Sequence, residues 1–320
     1  MHKLFLSCAV LALFACASNA ALAGEFPDRP VRIIVPFPPG AAADATMRAV
    51  ALKLADEWKQ PVVIDNKAGL TTGTIAAAAA APDGYTLLLG SSATMVTTPM
   101  TMAKPTYTVA RDFAPISRLV SLTPVLVAHP STGVKSLQEM IAAAKKHPGE
   151  LNYASSGIGT PGHLVMEQLQ SMTGIRMLHV PYKGGAPVVS DLVGGQVQFA
   201  MNALPSVLEF IKSGKLVAVA VGQQKRSKAL PQVQTISETV PGFDFTIWYG
   251  LFAPAKTPPE IVARIGRDLR LALGDTDVAS KLQAQGSDPA PSTPQELLQQ
   301  IRSETEQWQK IIHDRNLQIQ

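Results

Sequence analysis

Two loops of the sequence combine glycine with small residues directly before a predicted helix, and the second of them also carries hydroxyl groups. The first, FPPGAAAD, runs from Phe37 to Asp44, and the second, ASSGIGTPGH, runs from Ala154 to His163. The first N–H groups of a helix have no partner inside it and lie at the positive end of its dipole, so they bind anions. Gly40 and the alanines after it leave room for close approach. The two loops therefore favour the binding of a small anion such as a carboxylate.

Each loop also fits a second interpretation. The first is compatible with an ordinary strand-to-helix turn in which Asp44 caps the helix. The second contains Gly-x-Gly-x-x-Gly, the fingerprint of dinucleotide-binding sites. Pro161 removes one amide donor from that fingerprint, and the strand that ends at Val180 lacks the acidic residue that binds the ribose. We therefore expect an anion cradle and no cofactor.

Ser156 and His163 make an exported serine hydrolase an alternative, since an imidazole activates the hydroxyl nucleophile of such enzymes. The Gly-x-Ser-x-Gly turn typical of this chemistry is missing, and no acidic residue is placed to orient the histidine. The other histidines beyond the N-terminal segment do not have the spacing of a metal site. We expect no catalytic residues and no metal, and an esterase activity lost in Ser156→Ala would favour the enzyme instead.

Further polar residues follow predicted strands, at the ends where open α/β sheets place ligand contacts. Ser91, Ser92 and Thr94 follow one strand, and Asn202 follows another. Tyr182 lies in a third loop before a helix, where its ring either stacks on a ligand or fills a hinge. The candidate ligand-binding residues are Phe37, Gly40, Ala41, Ala42, Asp44, Ser91, Ser92, Thr94, Ser155, Ser156, Gly159, Thr160, His163, Tyr182, Gly184 and Asn202.

Charge is scarce in these loops, where Lys183 is the main cation. An anion would then be held by amides, hydroxyl groups and helix ends, which avoids burying a cation that has no partner in the empty state. The whole chain has 28 basic and 24 acidic residues and a formal net charge of +4, spread along the sequence rather than gathered in a stripe. This distribution does not indicate nucleic-acid binding.

The elements that must position the loops alternate short β-branched runs with amphipathic or Ala-rich runs, which is typical of an α/β fold. Strand 31–35 precedes the first loop, and strand 151–154 precedes the second. The two halves share this plan, and the final helices are expected to return to the first half. We predict a discontinuous first lobe, residues 24–124 plus 252–320, and a second lobe, residues 125–251.

Residues 1–23 have the features of a secretory signal peptide: Lys3 near the start, a short apolar core and an Ala-Leu-Ala motif that ends at Ala23. We expect cleavage after this motif and a periplasmic protein. Both cysteines, Cys8 and Cys16, lie in this segment, so the mature chain has no disulfide and no thiolate. Lipidation of Cys16 is the alternative, although the residues before it match a lipoprotein signal less well than they match the cleavage motif.

Several motifs occur in the order found in one known family. They are FPDRPVR (26–32), PF (36–37) with Gly40 and Asp44, PDGYTL (82–87), DFAPIS (112–117), PGELNYASSG (148–157), HVPYKG (179–184) and WYGLFAP (248–254). Over nearly its whole mature length the chain resembles the substrate-binding proteins of tripartite tricarboxylate transporters, the Bug family. It departs at Ala41, where the family usually has a second glycine, and at Asn66–Leu70, where the family commonly reads Asn-Arg-Pro-Gly-Ala.

The resemblance implies a two-lobed type II periplasmic-binding-protein fold, each lobe a mostly parallel sheet flanked by helices, with the ligand cleft between the lobes. It implies a small carboxylate ligand: a dicarboxylate, a tricarboxylate, an acidic amino acid or an aromatic acid. It assigns the ligand contacts to positions 37–44, 91–94, 155–163 and 182–184, with Asn202. The implied partner is the integral-membrane permease of a tripartite tricarboxylate transporter, and we expect a monomer. A ligand-presenting subunit of a sensory system shares these features and remains the alternative.

Overall fold

The computed structural model describes residues 26–102 and 104–314, so the predicted signal peptide and both cysteines lie outside the described residues. The strands are β1 Val31–Val35, β2 Val62–Asn66, β3 Thr86–Ser91, β4 Phe113–Leu122, β5 Pro124–Ala128, β6 Asn152–Ser155, β7 Leu178–Pro181, β8 Phe199–Ala203, β9 Val217–Val221, β10 Ile247–Pro254 and β11 Ser287–Pro289. The α-helices are α1 Ala42–Trp58, α2 Leu70–Ala78, α3 Thr98–Thr101, α4 Val109–Asp112, α5 Leu137–Lys146, α6 Pro161–Thr173, α7 Gly185–Val193, α8 Leu208–Lys212, α9 Pro259–Gly274, α10 Thr276–Ala284 and α11 Pro294–Asp314. A π-helical turn covers Ala93–Thr97, and 3₁₀ turns cover Pro130–Thr132, Leu204–Ser206 and Ile236–Glu238.

The first sheet has the strand order β11-β4-β10-β3-β1-β2. Its strand β1 is a run of β-branched residues buried at every position except Arg32, as expected for a strand covered on both faces. The helical connections α1 and α2 make β1 parallel to β2 and β3. Strand β10 enters between β3 and β4 and is antiparallel to both.

The second sheet has the order β7-β6-β8-β5-β9. Here β6 is parallel to β7 and β8, whereas β5 is antiparallel to β8 and β9. The predicted α/β architecture with two sheets is confirmed. Both sheets are mixed rather than mostly parallel. Parallel pairing joins β1 to β2 and β3, and β6 to β7 and β8. Antiparallel pairing occurs where β5 and β10 arrive from the other sheet and where β11 pairs with β4.

Within the described residues, the chain crosses between the sheets twice. The outward crossing is a single residue, Thr123, between β4 and β5; its carbonyl accepts from the Leu204 N–H at 2.8 Å, and its hydroxyl donates to Ser227 Oγ at 3.1 Å. The return runs through residues 222–246, before β10. The predicted lobe boundary between 251 and 252 falls inside β10, a strand of the first sheet.

Helix α11 packs against β4 of the first sheet and α6 beside the second. One hydrophobic cluster likewise joins Leu88 to Leu126 and Tyr153, and it includes Trp248 at the return crossing. The indole Nε1–H of Trp248 donates to both carboxylate oxygens of Glu304 in α11, at 2.9 and 3.0 Å. Burial raises the pKa of Glu304 to about 7. Among the described residues, no helix has the length and apolar character needed to cross a membrane.

Candidate functional site

The first loop leads from β1 into α1 and exposes the start of that helix. Ala41 is the N-cap, with extended backbone and no side-chain cap, and the first helical hydrogen bond runs from the Ala45 N–H to the Ala41 carbonyl at 3.0 Å. The N–H groups of residues 42–44 therefore have no acceptor within the helix. Gly40 has φ +80°, and a Cβ there would meet nothing within 4 Å, so the outer face of the loop is open.

Asp44 braces this loop from the inner side. Its carboxylate is 3% exposed and accepts from the Gly40 N–H at 2.9 Å, from Arg48 Nε at 3.0 Å and from Asn66 Nδ2 at 2.9 Å. Burial alone would raise the pKa of Asp44, but the hydrogen bonds from Arg48, Gly40 and Asn66 outweigh burial and hold the pKa below its ordinary value. The Gly40 N–H and the Asp44 carboxylate thus bind each other. Asp44 does not cap α1 as the second interpretation expected, because the N-cap is Ala41 and it has no side-chain cap; Asp44 holds the loop from within the first turn of the helix.

Phe37 begins this loop and meets a residue that sequence reasoning missed. Its ring lies 5.9 Å from the ring of Tyr249, and its carbonyl accepts from Asn66 Nδ2 at 3.2 Å. Tyr249 lies directly opposite Ser91 in the antiparallel pair of β10 and β3. The motif WYGLFAP pointed to this stretch of chain, but only the strand pairing brings Tyr249 to the first loop.

Ser91, Ser92 and Thr94 lie together at the carboxyl end of β3. The Ser91 N–H donates to Thr94 Oγ1 at 2.9 Å, and the Thr94 N–H donates to Ser91 Oγ at 3.1 Å, so these two side chains hold the turn. The Tyr107 hydroxyl also donates to the Thr94 carbonyl. Ser92 differs from both neighbours: its Oγ is buried without a hydrogen-bond partner among the described residues.

The second loop leads from β6 into α6 and is held by internal hydrogen bonds. Ser155 Oγ lies 2.9 Å from the Gly157 carbonyl, and Thr160 Oγ1 donates to the same carbonyl at 2.7 Å. Thr160 is the N-cap of α6 without a side-chain cap, and Pro161 follows it, so the Gly162 N–H is the first donor of that helix. A Cβ at Gly162 would stand 3.1 Å from the Met201 carbonyl, which shows how closely this helix start approaches β8.

Three aromatic rings stack behind the second loop. The His179 ring lies between Tyr153, at a centroid distance of 4.9 Å, and His163, at 4.0 Å. His163 Nδ1 accepts from the Gly159 N–H at 3.0 Å, and His179 Nε2 lies 2.7 Å from Ser155 Oγ. Burial lowers the pKa of both histidines, that of His179 to about 4. His179 was not a candidate site residue, and only the pairing of β6 with β7 places it beside Tyr153.

The same geometry gives no support to the hydrolase alternative. His163 Nδ1 is occupied by a backbone amide rather than by Ser156. Of the two serines in this loop, Ser155 is the one in contact with a histidine, His179, and it is only 2% exposed. Ser156 contributes its carbonyl, which accepts from the Gly184 N–H at 3.1 Å. Within residues 26–102 and 104–314, no cluster of three or more His, Cys, Asp or Glu is placed to hold a metal ion.

The third loop, residues 182–184, is tied to the second. The Tyr182 N–H donates to the Ser155 carbonyl at 2.9 Å, and the Tyr182 hydroxyl donates to Asp191 Oδ2 in α7 at 2.7 Å. Tyr182 therefore joins the loop to the helix that follows. Gly184 has φ +112° and open space where a Cβ would stand, so this loop also presents a bare backbone face.

Asn202 lies in β8, opposite Val125 of β5. Its Nδ2 is buried without a hydrogen-bond partner among the described residues, as is Ser92 Oγ. A buried polar group without a partner is costly, so such groups in a native fold call for an explanation. Ser92 and Asn202 supply one such group from each sheet.

Strand directions bring the two groups of loops toward each other. In the first sheet, β1, β3 and β4 run the same way, so their carboxyl ends share the edge that carries the first loop, Ser92 and the crossing residue Thr123. In the second sheet, β6, β7 and β8 run the same way, and the end of β8 pairs with the start of β5 at Ala203 and Pro124. The two polar edges therefore meet across Thr123.

Comparison with known proteins agrees with this arrangement. Residues 46–317 match the family model described as tripartite tricarboxylate transporter family receptor. Protein BugT of Bordetella pertussis is 37% identical over 313 residues, which cover 96% of this chain and 96% of that protein.

Solved structures show the same fold. R. palustris Rpa4515 with adipate superposes with a TM-score of 0.84 at 32% identity, covering 90% of this chain and 98% of that one. The periplasmic binding protein BugD gives 0.81 at 30% identity, covering 91% and 99%. MatC from Rhodopseudomonas palustris with bound malate gives 0.78 at 30% identity, covering 90% and 100%. The resemblance inferred from the sequence motifs is confirmed, and the chain belongs to the tripartite tricarboxylate transporter receptor family of periplasmic solute-binding proteins.

Proposed function

We propose that this protein captures a small carboxylate between its two sheets and delivers it to the membrane permease of a tripartite tricarboxylate transporter. The observation that carries the proposal is the meeting of two polar strand edges at Thr123, each with a glycine-containing loop that opens a helix. Helix starts bind anions through their free amides. The adipate and malate in two related structures support a carboxylate, and dicarboxylates in particular, as the ligand class.

The groups available to such a ligand are neutral donors. Ser92 Oγ and Asn202 Nδ2 are buried atoms without partners, one on each edge, and the amides of residues 42–44 lie at the start of α1. Carboxylate oxygens accept hydrogen bonds from all of these groups. A dicarboxylate would satisfy donors of both sheets at once and so favour a closed arrangement of the two lobes over an open one.

A thermal-shift screen of residues 24–320 tests the ligand class. The acids are adipate, malate, citrate, glutamate and benzoate, and each is paired with its neutral amide. A ligand at a hundredfold excess over its Kd stabilises the folded protein by about 2.7 kcal/mol, which raises the melting temperature. We expect a rise with one class of acid and none with its amide. A rise with amides alone would contradict the proposal.

Two substitutions test the unpartnered donors. Ser92→Ala and Asn202→Leu each remove a buried polar atom that has no protein partner, so the free protein should keep its stability or gain from the change. Both should weaken carboxylate binding, measured by calorimetry. Gln168→Leu is the matched control, because Gln168 Oε1 is also buried without a partner but lies in the body of α6. Equal affinities in all three variants would remove Ser92 and Asn202 from the site.

Export and delivery need their own measurements. N-terminal sequencing of protein recovered from the periplasm should begin at Gly24 if residues 1–23 are a cleaved signal. Uptake of the bound acid should require both this protein and the permease. Binding without uptake, together with capture of a receptor, would favour the sensory alternative and leave the ligand site unchanged.

A further inference from the structure

One of the hydrogen bonds that hold the second loop goes to a buried ring. The Gly159 N–H donates to His163 Nδ1 at 3.0 Å, and His163 is only 5% exposed. An imidazole nitrogen accepts only when it carries no proton, so His163 must be neutral with its proton on Nε2. If Nδ1 took up a second proton, its N–H would face the Gly159 N–H, and two donors cannot form a hydrogen bond with each other.

The neighbouring ring holds the other end of the loop. Ser155 Oγ lies 2.9 Å from the Gly157 carbonyl, which can only accept, so the hydroxyl donates there. The same Oγ accepts from the Gly157 N–H at 3.2 Å, and it lies 2.7 Å from His179 Nε2. Every group is satisfied when His179 Nε2 donates to Ser155. His179 thus fixes the start of the loop, and His163 fixes its end.

The titratable groups around this pair come from three elements. They are the two histidines themselves, with their rings 4.0 Å apart, Glu167 of α6 and Tyr153 of β6. Glu167 Oε1 accepts from the Tyr153 hydroxyl and from Gln170 Nε2, both at 2.7 Å. Burial lowers the pKa of both histidines, and the His163 ring lowers that of His179 further; Glu167 favours a proton on each but is outweighed, so the pair is neutral at pH 7.

We propose that His163 and His179 are positioning residues that hold the second loop in its ligand-binding shape, and that His163 does so only while it is neutral, so that a proton on His163 competes with the ligand. This inference rests on the proposed function, because the loop is taken to be part of the ligand site. The competition is indirect, since the proton acts on the buried Nδ1 and breaks the bond to Gly159. Below the pKa of His163, affinity should fall tenfold for each pH unit.

Two substitutions at His163 separate the hydrogen bond from the charge. His163→Asn puts an amide oxygen near the position of Nδ1, so it can accept from Gly159 but cannot take up a proton. His163→Leu keeps an apolar side chain and loses the acceptor. We expect the affinity of His163→Asn, relative to its own value at pH 7.5, to lose the fall at acid pH. His163→Leu should bind about tenfold more weakly than the wild type at pH 7.5, and this difference should shrink at acid pH, because leucine cannot take up a proton. His147→Asn, at an exposed histidine, is the control for the general effect of the substitution.

The decisive readout is the Kd of one carboxylate between pH 5 and 7.5 for the wild type and these variants. The ligand titrates in the same way with every protein. Only the difference in the pH dependence of Kd between the wild type and the His163 variants therefore reports on His163. Identical pH profiles for the wild type and His163→Asn, or unchanged affinity in His163→Leu, would overturn the inference.

A measurement without ligand separates this inference from the proposed function. Nitrogen NMR of the free protein should show His163 with its proton on Nε2, and the Gly159 amide signal should titrate together with that ring. If no acid binds but this titration is seen, the proposed function fails, and the proposal that neutral His163 holds Gly159 stands. If the Gly159 amide signal does not change as His163 is protonated, the proposed role of His163 is overturned even if an acid binds.

Discussion

The two loops that open onto the proposed cleft are built alike but held in opposite ways. Each starts a helix that lacks a side-chain cap. Behind the first loop is an ionised carboxylate, Asp44, paired with Arg48, whose side chain is 52% exposed. Behind the second are two neutral imidazoles in the interior.

The difference shows that two similar helix starts can be held by side chains of opposite character, one charged and one neutral. In the first support the carboxylate is buried, but it accepts three hydrogen bonds and pairs with Arg48, half of whose side chain is in water, so it remains charged. The second is stacked in the core, where charge is penalised, so the rings remain neutral. Salt should therefore act on the first loop and protons on the second.

The largest effect should come from removing the acceptor of the first loop. Asp44→Ala leaves the Gly40 N–H, Arg48 and Asn66 without their shared partner. We expect a loss of about 3 kcal/mol in the free energy of unfolding in urea. Asp56→Ala is the control, because its ion pair with Lys59 is exposed and should be worth less than about 0.5 kcal/mol. Equal losses in the two variants would show that Asp44 is no brace.

Adjacent serines give the matching test in the second loop. Ser155→Ala removes the bonds to His179 Nε2 and Gly157 and should cost about 1–2 kcal/mol of unfolding free energy. Ser156→Ala leaves the carbonyl that accepts from Gly184 in place and should change stability by less than about 0.5 kcal/mol. If Ser156→Ala lost more unfolding free energy than Ser155→Ala, the hydroxyl that holds the loop would be that of Ser156.

Acid should weaken the second loop's support in a defined window. The unfolded chain binds a proton at His179 below about pH 6.5, but the folded protein does so only below about pH 4. Stability therefore falls as the pH drops between these values, by at most about 1.4 kcal/mol per pH unit. Glu304 acts in the opposite sense, because its pKa of about 7 in the fold means that stability falls as the pH rises from about 4.5 through 7.

Variants separate the two opposing trends. His179→Phe keeps a ring in the stack and cannot titrate, so its stability should fall less between pH 6.5 and 4 than that of the wild type. Glu304→Gln should remove the loss near neutral pH. Urea unfolding measured across pH for both variants checks the signs, and a His179→Phe profile parallel to the wild type would contradict the buried neutral ring.

Salt should have the smallest effect, and only on the first loop. Arg48→Ala should cost less than about 1 kcal/mol, since half of this side chain is in water. Raising the salt concentration should shrink that difference toward zero, and it should leave the cost of Ser155→Ala unchanged. A salt dependence shared by both variants would erase the distinction between the loops.

The sequence predicted the α/β plan and the positions of both loops, because β-branched runs, glycines and prolines mark strands and turns locally, but it predicted neither β4 nor β11. It did not predict what lies behind the loops. Tyr249 reaches Phe37 only through the pairing of β10 with β3, and His179 reaches Tyr153 only through the pairing of β7 with β6. The sequence suggested His163 as a partner of Ser156, but its Nδ1 accepts from the backbone amide of Gly159 instead. Contacts between distant strands leave no local pattern.

The position of β10 determines the order in which the protein can assemble. Both sheet neighbours of β4, the strands β10 and β11, follow the whole second sheet in the chain. Strand β4 therefore has no partner in its sheet until residue 247 has been added, whereas the strands of the second sheet form one uninterrupted stretch from 124 to 221. Pairings between distant segments form late because closing a long loop is costly. Any fragment that stops before β10 leaves a buried, apolar strand edge unpaired, and we expect it to aggregate rather than to behave as half of a working protein.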